Sequence, residues 1–153
     1  MAVMGSPGER RLDRPPSDRY REAPEAVPQP AAGSWARAVG AGLAASAAWV
    51  AVTILLGGVL AVSAGLLIVA AAVGRLIGLA VLWGGGVLRA QTRIGIVLGC
   101  IVVGFVLAQL GLWAYARAEG GALAPLDYLA QTFGLVVPLQ LVLAVIVGWW
   151  TAR

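Results

Sequence analysis

From residue 38 onward apolar residues come in long runs, without the alternation of a half-buried strand or the single stripe of a soluble helix. No charged residue occurs from Ala38 to Gly74. As one helix that stretch would be about 55 Å long, against a hydrocarbon core of about 30 Å, so it is expected to double back. The pair Gly57-Gly58 is the expected break, because glycines propagate a helix poorly and permit a tight turn. Gly84, Gly85 and Gly86 close the next run, and Arg89 and Arg93 mark a short polar connection. Arg117, Glu119, Gly120, Gly121 and Asp127 mark another. The pattern predicts four membrane spans at about 36–56, 60–83, 94–116 and 130–151. Pro125 is expected to start a short interfacial helical turn through Tyr128, and Pro138 to kink the fourth span or shift its start.

The first 34 residues differ in kind. They carry six of the eight prolines, with Glu9, Asp13, Asp18, Glu22 and Glu25 interleaved among Arg10, Arg11, Arg14, Arg19 and Arg21. Such a segment has little apolar surface to offset its ordering entropy, so a disordered, cytoplasmic Pro/Arg-rich tail is expected at 1–34, before a four-span domain at 35–153. The expected fold class is all-α, an integral membrane four-helix bundle.

Composition strengthens the membrane reading. The chain is 60% hydrophobic and 12% charged, where soluble domains carry about 25% charged residues. All eleven basic residues are arginines, and histidine is absent. The lack of imidazole removes the commonest acid–base, zinc and nucleophile-activating group, so no enzyme activity, metal or cofactor is expected. Cys100 has no second cysteine to pair with and reads as a small core residue. The sequence pI of about 10.2 does not imply nucleic acid, because the arginines are dispersed along the chain. Topology accounts for them better. With the N-terminus in the cytoplasm, the tail, Arg37, Arg89, Arg93 and Arg153 lie inside and only Arg117 outside, which predicts a multi-pass protein of the cell (inner) membrane with both termini cytoplasmic. Trp35, Trp83, Trp149 and Trp150 then fall at the inner interface, and Trp113, Tyr115 and Tyr128 at the outer one.

Helices in lipid associate by close packing and a few polar contacts. Small residues recur at spacing four in the rows Gly40/Ala44/Ala48, Ala70/Gly74/Gly78, Gly95/Gly99 and Ala144/Gly148. Gly74, Gly78, Gly95 and Gly99 are the candidate helix-packing positions, within one bundle or between two copies. Gln109, Gln131 and Gln140 are expected to bond between helices, and Ser46, Thr53 and Ser63 to bond to preceding helix carbonyls.

Arg75 stands eight residues before Trp83, about 12 Å from the inner interface along a helix. Arginine does not usefully deprotonate, and no Asp or Glu occurs between residues 26 and 118. The expected solution is snorkelling to headgroup phosphates. The sharper alternative is an anion or lipid-headgroup contact, for which Arg75, Arg89 and Arg93 are the candidates. Gly84-Gly85-Gly86 ahead of Arg89 lacks the lysine, hydroxyl and preceding strand of a phosphate-binding loop, so nucleotide binding is not expected.

The stretch "VGRLIGLAVLWGGG", residues 73 to 86, followed by a short basic turn and a further apolar run, resembles small uncharacterised four-span bacterial membrane proteins with a VGxxxGxAVxxGGG-like end to the second span. The resemblance covers roughly residues 60 to 115 and implies no activity, ligand or catalytic residue. The expected role is a non-catalytic accessory or scaffolding subunit of a membrane complex, with lipids and either a membrane protein or a second copy as partners. The alternative is a small transporter or lipid- or anion-binding protein using Arg75.

Overall fold

The computed structural model describes residues 34–60, 65–121 and 123–153; the tail reading at 1–33 and the reading of Ser63 lie outside the described residues. The described chain is all-helical. Helix α1, Trp35–Thr53, starts where the Ser34 hydroxyl accepts from the Arg37 N–H at 3.1 Å. Four more helices follow: α2, Gly65–Gly85; α3, Ala90–Ala118; α4, Pro125–Thr132; and α5, Val136–Ala152. Three helical stretches are long and apolar enough to cross a membrane (α1 with its continuation, α2 and α3), and a fourth crossing arises if α4 and α5 count as one bent span.

Gly57 and Gly58 do not make the expected turn. The chain continues from α1 into a π-helical stretch, Ile54–Val59, closed by the Leu60 N–H on the Leu55 carbonyl at 3.0 Å. The glycines serve packing instead: a β-carbon on Gly57 would lie 3.1 Å from a Leu112 methyl, and one on Gly58 would lie 3.0 Å from the Tyr115 ring. The glycine run does end the second span as expected: α2 stops at Gly85 and Gly86 takes the left-handed φ of +51°, while Gly84 and Gly85 are still helical and buried, with Gly84 against the Arg37 carbonyl.

Helix α3 ends in a Schellman motif. Gly120, at φ +99°, takes the left-handed position, the Gly121 N–H reaches the Ala116 carbonyl at 3.0 Å, and the Gly120 N–H reaches Arg117 at 3.1 Å. Pro125 then opens α4, which runs past Tyr128 to Thr132. Between α4 and α5 the axis bends by 89°, and the bend falls at Gly134, φ +51°, instead of at Pro138. Pro138 is the third residue of α5, a first-turn position where its missing N–H has no intrahelical acceptor, so of the two expected outcomes it is the later start, at Val136, and not a kink at the proline, that the structure has.

The four long helices form a bundle in which α2 packs on α1 and α5, and α3 packs on the same two from the other side. Side-chain register gives their directions. Gly74 meets Ala144 and Gly78 meets Gly148, so α2 and α5 run parallel. Ser46 and Gly104, then Ile54 and Gly111, pair between α1 and α3, which also run parallel. One end of the bundle therefore holds Trp35, Gly85, Ala90 and Ala152, here called the near end; the far end holds Val59, Gly65, Ala118 and Val136.

The buried face of α1 is Ala38, Gly42, Ser46, Trp49 and Thr53, not the Gly40/Ala44/Ala48 row, which is exposed. Polarity and bulk decide between the two faces. The Ser46 hydroxyl shares its one proton between the Gly42 carbonyl of its own helix and the Cys100 carbonyl of α3, each at 2.9 Å, while Trp49 packs inward beside Phe105 with ring centroids 6.2 Å apart. Cys100 is buried, as expected of a core residue.

Candidate functional site

Two glycine pairs of identical spacing have opposite fates. Gly74 and Gly78 are buried: a β-carbon on Gly74 would lie 2.5 Å from the Ala144 carbonyl oxygen, and one on Gly78 would lie 2.7 Å from Thr151. A β-carbon on Gly148 of α5 would lie 3.2 Å from the Gly74 carbonyl oxygen and 2.5 Å from Ile101 of α3. Gly95 and Gly99, expected to pack in the same way, are exposed, and a β-carbon on either would meet nothing within 4 Å. Within this chain their small size admits no neighbouring helix.

What they border is a groove. On the near-end side of the Ser46–Cys100 contact, α1 and α3 border an open, predominantly apolar groove of about 470 Å³, with Trp35, Val39 and Leu43 on one wall and Thr92, Gly95 and Gly99 on the other. The cleft was not foreseen from the sequence. The Gly95/Gly99 spacing marked one wall, but a groove between two helices has no signature in either helix alone.

The arginines divide into two groups. Arg75 is exposed on the outward side of α2, next to the fully packed Gly74 and ten residues, about 15 Å, from the helix end at Gly85. Arg89 and Arg93 stand at the near end, Arg89 as the residue before α3 and Arg93 one turn inside it. Arg93 is half-buried, and its Nε is enclosed without a hydrogen-bond partner. The structure therefore does not bring Arg75 together with Arg89 and Arg93. Two further near-end arginines sit over indoles: Arg37 is 5.9 Å from the Trp83 ring centroid and Arg153 is 4.3 Å from that of Trp149. At the far end Arg117 lies 5.4 Å over Trp113, whose indole N–H donates to the Leu123 carbonyl at 3.1 Å.

Polar groups inside the bundle are few among the described residues. The Gln109 amide donates to the Gln140 side-chain oxygen at 3.1 Å, the interhelical bond expected of them. Gln131 does not join them; it is exposed on α4, beyond the 89° bend. The Thr53 hydroxyl, expected to bond back to its own helix, has no hydrogen-bond partner, and the Gln109 oxygen has none either; both atoms are buried. No group of three or more His, Cys, Asp or Glu side chains that could hold a metal ion occurs among the described residues. No protein-family model, curated protein or solved structure matches this chain.

Proposed function

We propose that this chain is a multi-pass protein of a bacterial inner membrane, with both termini cytoplasmic, acting as a non-catalytic accessory or scaffolding element of a membrane complex. The observation that carries the reading is the closed interior. Gly74 and Gly78 sit against α5, Gly148 against Ile101, and Gly84 against the Arg37 backbone, each with a would-be β-carbon closer than 3.0 Å to a neighbour. Helices that touch at this distance leave no room between them for a passing solute, whereas a rigid body with a broad apolar exterior suits lateral assembly. The aromatic and arginine pairs at both ends support the transmembrane placement, and the excess of arginines at the near end supports a cytoplasmic near end.

The second reading is a lipid- or anion-binding role centred on Arg75. It draws support from a permanent charge exposed on the outer side of an otherwise apolar helix. Affinity purification in mild detergent with mass spectrometry of proteins and lipids, on wild type and Arg75→Ala in parallel, separates the two. A stoichiometric protein partner retained by both forms supports the accessory role. A small anionic ligand or lipid retained by wild type alone supports the Arg75 reading, and recovery of the chain outside the washed membrane fraction refutes both.

A further inference from the structure

The groove between α1 and α3 lies beside an unusual electrostatic arrangement. Because α1 and α3 run parallel, both begin at the near end, where the aligned peptide dipoles concentrate partial positive charge. Neither helix has an acidic residue in its first turn. Helix α3 is preceded by Arg89, a donor-only side chain that makes no capping hydrogen bond, so the N–H groups of Ala90, Gln91 and Thr92 lack both an intrahelical acceptor and a side-chain cap. The first intrahelical bond is Arg93 N–H to the Arg89 carbonyl at 3.0 Å. Arg93 adds a second cation in that first turn. Basic residues at a helix start oppose the dipole. A topological preference for arginine on this side would be served equally well at the ends of α2 and α5, where the dipole favours cations and where Arg153 already stands.

The apolar part has matching dimensions. From Thr92 to Val103 the α3 wall rises about 16 Å, close to the roughly 15 Å of hydrocarbon in one leaflet. Beyond it the two helices close on each other, with Gly104 against Ser46 and Gly111 against Ile54. The groove is thus about one leaflet long on its α3 side, stops where α1 and α3 meet at Ser46 and Gly104, and has Arg89 three residues before Thr92 at its near end. A transmembrane helix of a partner would cross both leaflets, whereas an acyl chain ends where this cleft ends.

We infer that the α1–α3 groove binds one anionic phospholipid of the near-end leaflet, with an acyl chain against Gly95 and Gly99 and the phosphate at Arg89 and the uncapped start of α3. Thr92, Gly95 and Gly99 line the groove along α3 and Arg89 directly precedes that helix, so the headgroup and chain contacts are continuous. The glycines leave the space the chain occupies; the arginine and the free N–H groups select the charge. The inference rests on the membrane-spanning reading but not on the accessory role, and it assigns no part to Arg75.

The test is native mass spectrometry of the full chain, delipidated and titrated with phosphatidylglycerol or phosphatidylcholine of the same acyl composition. The variants are Gly99→Leu, Arg89→Gln and, as a control on the outer face of α2, Ala72→Leu. Wild type and Ala72→Leu are expected to hold one phosphatidylglycerol, with about tenfold preference over phosphatidylcholine. Gly99→Leu should weaken both lipids, and Arg89→Gln should remove most of the preference. Because a β-carbon at residue 99 meets open space, Gly99→Leu should keep its helical circular dichroism, and Arg89→Gln tests the headgroup end independently. Equal binding of the two lipids overturns the inference, as does a phosphatidylglycerol affinity untouched by Gly99→Leu. A lipid-free wild-type dimer that Gly99→Leu converts to monomer would assign the groove to a second copy. Recovery of the chain outside washed membranes would instead refute the transmembrane reading itself.

Discussion

The contrast between Gly74 and Gly99 offers a quantitative test of which helix faces hold the bundle together. In Gly74→Ala the new methyl would lie 2.5, 2.9 and 3.1 Å from the carbonyl oxygen, Cα and carbonyl carbon of Ala144. All three are backbone atoms, so no side-chain rotation relieves the clash. Restoring ordinary contact means moving α2 and α5 apart by about 0.9 Å, and a gap of that size forfeits a quarter to a half of the dispersion energy of each contact it opens. Overpacking of this kind costs about 1–3 kcal/mol, and the backbone partner argues for the upper end. Alanine returns up to about 1 kcal/mol through helix propensity, leaving a net loss of about 2 kcal/mol. Gly99→Ala meets nothing within 4 Å and keeps only the propensity gain, so the two variants should differ by about 3 kcal/mol. Reversible unfolding in mixed micelles, followed by far-ultraviolet circular dichroism, measures both. Stabilities within about 0.5 kcal/mol of each other would refute the α2–α5 apposition described here.

Three other outcomes follow from particular side chains. A double-mutant cycle on Gln109→Leu and Gln140→Leu, read in the same unfolding assay, should give a coupling of about 0.6 kcal/mol, the average for a hydrogen bond between membrane helices. Gly134→Ala places a β-carbon at φ +51° and should cost about 1–2 kcal/mol, whereas Pro138→Ala, in the first turn of α5, should change stability by less than about 0.5 kcal/mol. Arg75→Ala removes an exposed cation from an apolar helix, so it should favour translocon insertion of an isolated α2 segment by up to about 2.5–3.5 kcal/mol, measured by glycosylation mapping, while leaving bundle stability within about 0.5 kcal/mol.

The sequence made the helical class and the small-residue seam of α2 and α5 readable, and the reason lies in what lines that seam. Ala70, Gly74, Gly78, Ala144 and Gly148 are buried as their spacing suggests. Gly40, Ala44 and Ala48 share the spacing and face outward. In a helix rich in alanine and glycine several faces carry small residues, so the choice falls to the side chains that need an interior partner. On α1 those are Ser46, bonded to the Cys100 carbonyl, and Trp49, buried beside Phe105, and both lie on the other face. Gly57 and Gly58 illustrate the same ambiguity: a residue without a side chain permits a turn or a close approach, and Leu112 and Tyr115 on a distant helix select the second.

The groove lay beyond the sequence for a related reason. Chain direction was deducible, since successive spans must alternate and the first and third must start on the same side. Adjacency was not. A four-helix bundle can place the first and third helices at opposite corners, and here α1 and α3 touch while α1 and α5 take the opposite corners. That arrangement sets two helix N-termini side by side at the near end instead of surrounding each with the C-termini of its neighbours. Arg89 and Arg93, ordinary as topology signals, then stand where the dipoles oppose them, at the near end of the helix that forms one wall of the groove. An anion at that end would reverse the sign of the local interaction, so the inferred lipid site rests on packing order rather than on any motif.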